Sequence, residues 1–240
     1  MGKTSVQNVF EQAMRAVYSA LTTLRGQPYD SLRTAIHDCL QGIAESCQDD
    51  THPLYLRIDD LDGVIQHDRL GRFDEIGKDG WIAIDLWKAV PEAWDDPDIE
   101  VDLFTSAYYI AHAFAHEITH YQQHLAAWGK PLHLPPSMVR RAGIPDPYLA
   151  RSTEIHAHAA DAVRELMLAY DSPQAVQAAL RTHQGITLAA KKSQALESFW
   201  SLHGGSEGGK TLYRAFLLHV LKGLEPQQPD NVPARRRSRA

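Results

Sequence analysis

The stretch of sequence that decides the fold is His116-Glu117-Ile118-Thr119-His120. It lies in a helical pattern that runs from about Glu100 to Trp128 without a proline or a glycine. Residues four apart on an α-helix lie on one face, about one turn or 5.4 Å apart along the axis. The sequence therefore predicts an active helix over residues 99–128 that carries both histidines on one side.

The spacing of these residues indicates a metal site. Two imidazoles on one helix face can bind a single zinc ion at about 2.0–2.1 Å from each nitrogen. Glu117 follows the first histidine, so its carboxylate lies beside the ion, where a general base can take a proton from zinc-bound water. We therefore predict one catalytic Zn²⁺ ion, with His116 and His120 as ligands and Glu117 as the catalytic base. The alternative is that these side chains simply face solvent.

The third ligand decides the subclass of such a site. A metzincin carries Gly and His further along the helix, where this chain has Gln123 and Ala126, so that class is excluded. His124 continues the four-residue spacing, but it lies eight residues from His116, which is about 12 Å along a helix. That separation is too long for two ligands of one ion. It favours a surface or supporting position for His124.

A third ligand can come from the next predicted helix, residues 148–170. Glu154 lies near the start of this helix, and three alanines between residues 157 and 160 allow a close approach of two helices. Two histidines, a glutamate and a water form a known catalytic zinc set, so Glu154 is the predicted third ligand. His158 is the alternative ligand, and Asp161 is a candidate hydrogen-bonding partner for a ligating imidazole.

Two short segments before the active helix predict strands, because both are rich in β-branched and aromatic residues and are bounded by Gly, Asp and Pro. They are Pro53–Ile58 and Trp81–Trp87, with a polar loop between them. Together they predict a small sheet within residues 53–88. The fold class is therefore α+β and mainly helical, with one domain over residues 1–224.

Helical patterns account for most of the remaining chain. N-terminal helices are predicted within residues 5–47, as Val6–Leu24 and Tyr29–Ile43. C-terminal helices are predicted within residues 172–224, as Pro173–His183, Leu188–Leu202 and Gly209–Leu224. The last residues, 225–240, combine proline and glutamine with four arginines and predict a disordered basic tail.

Composition narrows the class of protein. A hydrophobic content of 44% is ordinary for a globular domain, and the net charge of −6 gives no reason to expect a nucleic-acid partner. The two cysteines, Cys39 and Cys47, are spaced for neither a zinc site nor a disulfide framework.

We find no signal peptide and no apolar run of the roughly 20 residues that span a membrane, which predicts a cytoplasmic protein without a membrane partner. Export would need a specialised route.

Residues Gly204 to Thr211 match the pattern of a phosphate-binding P-loop. Such a loop needs a buried strand before it, but residues 195–203 predict an amphipathic helix. The residues that follow, 212–240, are too few for the rest of a nucleotide-binding fold. We therefore predict a turn between two helices at this glycine cluster and no nucleotide partner.

The two key helices together resemble a known family. An H-E-x-x-H helix followed by the pattern Y-L-x-R-x-x-E-I-x-A, here Tyr148 to Ala157, resembles the gluzincin branch of the zincin-like metallopeptidases. The likeness is greatest to small members encoded by bacteria and phages, and it covers roughly residues 80 to 165. It implies a zincin-like fold in which His116, His120 and Glu154 bind zinc and Glu117 activates water.

The resemblance also implies how a substrate would lie. A strand just before the active helix would form the edge of the cleft and pair with an extended peptide or protein substrate. In this chain that strand is Trp81-Ile82-Ala83-Ile84. Thermolysin-like members carry Asp four residues after the ligand Glu, where this chain has His158. Candidates for stabilising the oxyanion of the reaction are Tyr148, Arg151 and His156.

These observations lead to two hypotheses. The first is a zinc metallopeptidase that hydrolyses peptide bonds with a water activated by Glu117. The second is a catalytically inactive zincin fold that serves as a binding or structural module, for instance in a phage particle or a toxin system. A fourth protein ligand on the metal, such as His158 or His124, would favour the second hypothesis.

Overall fold

The computed structural model describes residues 5–58, 70–76, 78–90, 94–96, 98, 100–126, 151–203 and 207–225. Within them the chain is mainly helical with a small sheet, so the α+β fold class is confirmed. The strands are β1 (Leu54–Ile58), β2 (Gly71–Ile76) and β3 (Asp79–Ile84). The helices are α1 (Val6–Thr23), α2 (Tyr29–Cys47), α3 (Leu103–Ala126), α4 (Ser152–Ala169), α5 (Pro173–Ala179), α6 (His183–Ala190), α7 (Gln194–His203) and α8 (Glu207–Gly223).

The N-terminal helices form much as their apolar spacing predicts. Ser5 caps α1, since its side chain accepts a hydrogen bond from the backbone N–H of Asn8. The chain then turns at Gly26, whose φ of 76° lies in the region that favours glycine. The buried faces of α1, α2, α3 and the sheet form one apolar cluster. This cluster supports the helix that carries the two histidines.

The sheet has the order β1-β3-β2, with β1 parallel and β2 antiparallel to β3. Strands at Leu54–Ile58 and Asp79–Ile84 agree with the predicted ones, except that residues 86–88 form a short 3-10 helix. The predicted polar loop between them contains β2, which the sequence analysis missed. Because β3 is hydrogen-bonded on both sides, Trp81-Ile82-Ala83-Ile84 is the centre of the sheet. The prediction that this segment forms the open edge is therefore wrong, and β1 and β2 are the edges of the described sheet.

The helix that carries the histidines begins later than its apolar pattern suggests. Asp102 accepts hydrogen bonds from the backbone N–H and the hydroxyl of Thr105, so it caps α3 at Leu103. The third-ligand helix α4 begins at Ser152, and α3 and α4 pack against each other. Residues 127–150 between them, including Tyr148, lie outside the described part of the chain.

The described C-terminal helices are more numerous than predicted, because two of the predicted helices are interrupted. The predicted helix Pro173–His183 ends at Ala179, because Thr182 caps a new helix by accepting a hydrogen bond from the Gly185 N–H. Ser193 likewise interrupts the predicted helix Leu188–Leu202, because its hydroxyl accepts a hydrogen bond from the Leu196 N–H. Helices α4 to α8 enclose a second apolar cluster. The interface of α3 with α4 therefore joins the two clusters.

Within Gly204 to Thr211, the segment that matches the P-loop pattern, the described residues are helical. Residues Glu207 to Thr211 begin α8, and Lys210 pairs with Glu207 at 3.2 Å. A Cβ on Gly209 would lie 2.2 Å from the Leu202 carbonyl oxygen, so glycine permits the close approach of α8 to the end of α7. Residues 204–206 and the basic tail at 226–240 lie outside the described ranges. Among the described helices, none has both the length and the apolar character needed to cross a membrane.

Candidate metal centre

Three ligand atoms from two helices meet where α3 packs against α4. The Nε2 atoms of His116 and His120 lie 3.1 Å apart. Glu154 Oε2 lies 3.8 Å from the first of these nitrogens and 3.5 Å from the second. His116 and Glu154 are 8% and 6% exposed, so the group is largely shielded from bulk water. The structure thus brings together the three residues that the sequence analysis selected as ligands.

The distances among these three atoms fit a zinc ion. Ligands at 2.0–2.1 Å from a tetrahedral ion lie about 3.3 Å from one another, and the observed separations lie on both sides of that value. A triangle with these sides has a centre about 2.0 Å from each corner, so one ion can reach all three atoms at zinc distances. Two imidazoles and one carboxylate are also a donor set that zinc accepts. The residues present therefore fit the metal.

His116 is held in place by a carboxylate from α4. Its Nδ1–H donates to Asp161 Oδ2 over 2.6 Å, which leaves Nε2 to face the metal position. Asp161 Oδ1 in turn accepts from Arg164, and both side chains are 2% exposed. Burial lowers the pKa of Arg164 to about 10, so the guanidinium remains charged at neutral pH. A buried ion pair thus fixes the orientation of the first histidine.

His120 is held by a different partner. Its Nδ1–H donates to Gln123 Oε1 over 3.4 Å, and Gln123 Nε2 donates to the Thr153 carbonyl over 3.1 Å. Gln123 therefore links the second histidine on α3 to the residue before Glu154 on α4. Both imidazoles present Nε2 to the same point because each Nδ1–H is engaged elsewhere.

Glu117 points towards the sheet instead of joining the three ligand atoms. It is 6% exposed, and a Cβ placed on Gly71 would lie 3.1 Å from its Oε1. The start of the edge strand β2 thus packs directly against this carboxylate. Glu117 and His116 also line a cavity of about 260 Å³ between α3, α4 and the start of α7. This placement suits a group that acts on a molecule in the cavity.

The other candidate residues take separate positions. His158 Nδ1 lies 3.7 Å from Asp161 Oδ2, and its ring packs against that of His116 at 5.1 Å between centroids. Burial, followed by repulsion from the charge that His116 can carry, lowers the pKa of His158 to about 3. His124 is buried against His52 and Phe73, which excludes the first of its two predicted positions, surface or supporting.

Two of the three oxyanion candidates, at the start of α4 and within it, are exposed. These are Arg151 and His156, and the ring of His156 packs against that of His219. Tyr148 lies outside the described ranges.

A second group of possible ligands, His116, His158 and Asp161, shares a histidine with the first. The 2.6 Å between His116 Nδ1 and Asp161 Oδ2 is a hydrogen-bond length, well below the about 3.3 Å that separates two ligands of one zinc ion. This group is therefore the hydrogen-bonded support of His116. Within the described residues, neither His158 nor His124 joins the first group as a fourth ligand.

Several residues of the site escaped the sequence analysis. Gln123 was not predicted as a partner of His120; its identity was used only to exclude the metzincin class. Its position three residues after His120 nevertheless places both residues on one helix face. Arg164 stands three residues after Asp161, which is also an ion-pair spacing on a helix. Gly71 carries no such signal, because its contact with Glu117 arises only from the packing of β2 on α3.

Comparison of the chain with protein-family models, with curated proteins and with solved structures found no match.

Proposed function

We propose that this protein is a zinc-dependent metallopeptidase with a zincin-like fold of the gluzincin type. The observation that carries the proposal is the triangle of His116, His120 and Glu154 with Glu117 beside it. A zinc ion held there would supply Lewis-acid chemistry, since zinc polarises a carbonyl and makes water acidic enough to lose a proton near pH 7.

Glu117 is the group that moves protons in this proposal. Its carboxylate lines the cavity together with His116, next to the point on which the three ligand atoms converge. There it takes a proton from the attacking water and later delivers that proton to the nitrogen of the leaving amine. Asp161 and Gln123 keep the two imidazoles oriented during this cycle, because each accepts the hydrogen bond of one Nδ1–H.

The position of the edge strand β2 supports the proposal that the substrate is a peptide. Among the described strands, β2 pairs only with β3, and its first residue, Gly71, lies against Glu117 and lines the cavity. An extended peptide that adds to the outer side of β2 would bring its backbone past the catalytic base. We therefore assign to Gly71–Ile76 the substrate-pairing role that the sequence analysis gave to Trp81–Ile84.

The alternative, an inactive binding or structural module, predicts a metal with four protein ligands. Within the described ranges, the cluster offers three ligand atoms and borders a cavity. Because the described residues leave a coordination position for water, they support the enzyme over the module.

The test of the proposal is metal binding together with hydrolysis. The purified full-length chain is expected to hold about one zinc ion and to cleave a mixed peptide library, and a chelator should stop cleavage until zinc is restored. His116→Ala and Glu154→Ala should each weaken zinc binding by more than the roughly 10–100-fold that follows loss of a supporting partner. His156→Ala, an exposed histidine on the same helix as Glu154, is the matched control and should bind zinc normally. An intact protein without zinc affinity would overturn the proposal.

The contact between β2 and Glu117 gives a further expected result. In Gly71→Ala the new methyl group would meet Glu117 Oε1 at 3.1 Å and Ile84 Cδ1 at 3.3 Å, so the carboxylate must move by a few tenths of an ångström. Because small misplacements of a catalytic group are costly, we expect kcat to fall by roughly tenfold. Zinc affinity should not change, since Gly71 touches no ligand atom. Equal losses of zinc affinity and kcat would contradict this explanation.

A further inference from the structure

The cavity beside Glu117 extends beyond the metal centre. Its wall on α3 includes His112, one turn before His116, and its wall on α4 includes Glu165, one turn after Asp161. The first two turns of α7 close the other side with Gln194 and Ser198. The catalytic base and a polar chamber therefore share one continuous space.

The size of this chamber suits a single amino-acid side chain. Its volume of about 260 Å³ is below the roughly 300–1,000 Å³ of sites that enclose a complete small-molecule ligand. A peptide lying along β2 would pass the mouth of the chamber at Gly71, which lines it. One side chain of that peptide could then enter while the backbone stays outside.

The chamber carries an excess of negative charge. Asp161 and Glu165 both line it, and Arg164, bonded to Asp161, is the cation next to them. The Glu165 carboxylate is held by uncharged donors, since its Oε2 accepts from the Ser193 hydroxyl at 2.6 Å and from the Ala195 N–H at 3.2 Å. Apart from Glu117, one guanidinium thus faces two carboxylates, which leaves one negative charge on this part of the wall.

Ionisation of the neighbouring groups preserves this excess. Burial opposes the ionisation of Glu165, but the contact with His112 and the hydrogen bond from Ser193 outweigh it and hold the pKa of Glu165 below its usual value. His112 Nε2 lies 3.4 Å from Glu165 Oε1. Burial lowers the pKa of His112, which therefore remains neutral at pH 7 and does not cancel the charge of the carboxylate.

We propose that this chamber is a specificity pocket that receives the side chain of a lysine or arginine next to the bond that is hydrolysed. The long apolar stem of such a residue would pass Ala113 and Ala195, and its charged end would reach Glu165. A charged partner in a partly buried pocket discriminates strongly against an uncharged analogue, because the carboxylate would lose water without gaining a new donor. This inference rests on the proposed peptidase function and adds the substrate class to it.

The experiment compares blocked hexapeptides that differ only in one residue, which is lysine, arginine, norleucine or glutamate at each position in turn. Hydrolysis is measured with the zinc-loaded chain, and binding is measured by calorimetry with its Glu117→Gln variant, which keeps the peptides intact. At one position, lysine and arginine are expected to exceed norleucine by about tenfold or more in both measurements, and glutamate should be the poorest.

Two variants test whether the chamber causes the preference. Gln194→Lys places a cation at an exposed position on the chamber wall, and Glu165→Gln removes the charge but keeps an acceptor for Ser193. Both should reduce the preference to about twofold or less, since each cancels the excess negative charge. Gln184→Lys makes the same change at an exposed site on α6 and should leave the preference intact.

The outcomes separate the two proposals. Equal treatment of lysine and norleucine by the native chain, or an unchanged preference in both pocket variants, overturns the pocket. Hydrolysis without a preference for basic residues would therefore support the peptidase function and contradict the proposed pocket. A charge-dependent preference in binding without any hydrolysis would support the pocket and overturn the peptidase.

Discussion

Replacement of Glu117 by glutamine is expected to lower peptide hydrolysis by about 10³-fold while zinc remains bound. The amide has nearly the shape of the carboxylate, so the contact with Gly71 and the fold of α3 should persist. It cannot accept a proton, however, and general-base catalysis contributes roughly 10²–10⁴-fold to such reactions. The loss should appear in kcat, because the base acts in the transition state and contributes little to substrate binding.

The controls for this experiment are a neutral substitution and a metal assay. Glu11→Gln makes the same chemical change at an exposed position on α1 and should keep full activity. Elemental analysis should find the same zinc content in the native chain, in Glu117→Gln and in Glu11→Gln. If Glu117→Gln retains more than about a tenth of the native kcat, Glu117 is not the base.

The helix with the H-E-x-x-H motif was the most predictable part of the fold. His116, Glu117 and His120 belong to one continuous helix, so their relative positions follow from helical geometry alone. The position of Glu154 near the two histidines depends on close packing of α4 against α3. The alanines of α4 were the sequence feature that indicated this close packing. What the sequence could not specify was which residues would support the ligands, because those contacts depend on the register of α3 against α4.

The strand β2 shows why the sheet was harder to predict than the helices. Its residues Gly71 to Ile76 include three charged side chains, which made the segment look like a polar loop. It is a strand because it pairs in register with β3 along its full length, and Phe73 packs against Tyr121 of α3. Such pairing with a distant segment has no local signal, and a strand at the edge of a sheet tolerates charged residues. Because β2 was missed, the predicted cleft edge was placed on β3, which is the central strand of the described sheet.

The bounds of the short C-terminal helices were predicted wrongly for a different reason, which is that the local pattern was read too far. Apolar spacing continues across Thr182 and Ser193, so periodicity alone extends one helix into the next. Both residues instead accept hydrogen bonds from backbone N–H groups three residues ahead, which starts a new helix at each point. The break at Ser193 also supports the pocket, because the Ser193 hydroxyl donates to Glu165.

The largest expected effect on stability comes from Arg164. Its guanidinium pairs with Asp161 where both side chains are 2% exposed, and it lies 6.0 Å from the ring centre of Phe10 on α1. In Arg164→Leu the Asp161 carboxylate would remain buried without its cation, which costs about 3–5 kcal/mol of unfolding free energy. For a chain of this size the melting temperature should fall by roughly 10 °C.

Unfolding of the chelator-treated protein by urea and by heat would measure this effect without a contribution from metal binding. Arg214→Leu removes an exposed arginine of α8 and should change the unfolding free energy by no more than about 0.5 kcal/mol. A loss no larger in Arg164→Leu than in this control would show that the buried pair does not stabilise the fold.

A double variant separates the unpaired charge from lost packing around Arg164. Asp161→Asn removes the negative charge but keeps an oxygen that can accept from His116 Nδ1. If the unpaired carboxylate causes the loss, Arg164→Leu should cost about 1–3 kcal/mol less in the Asp161→Asn background than in the native chain. If the contact with Phe10 is the cause, the two losses would be equal, because Arg164→Leu removes that contact in both backgrounds. The buried pair that orients the first histidine is therefore expected to support both the fold and the metal centre.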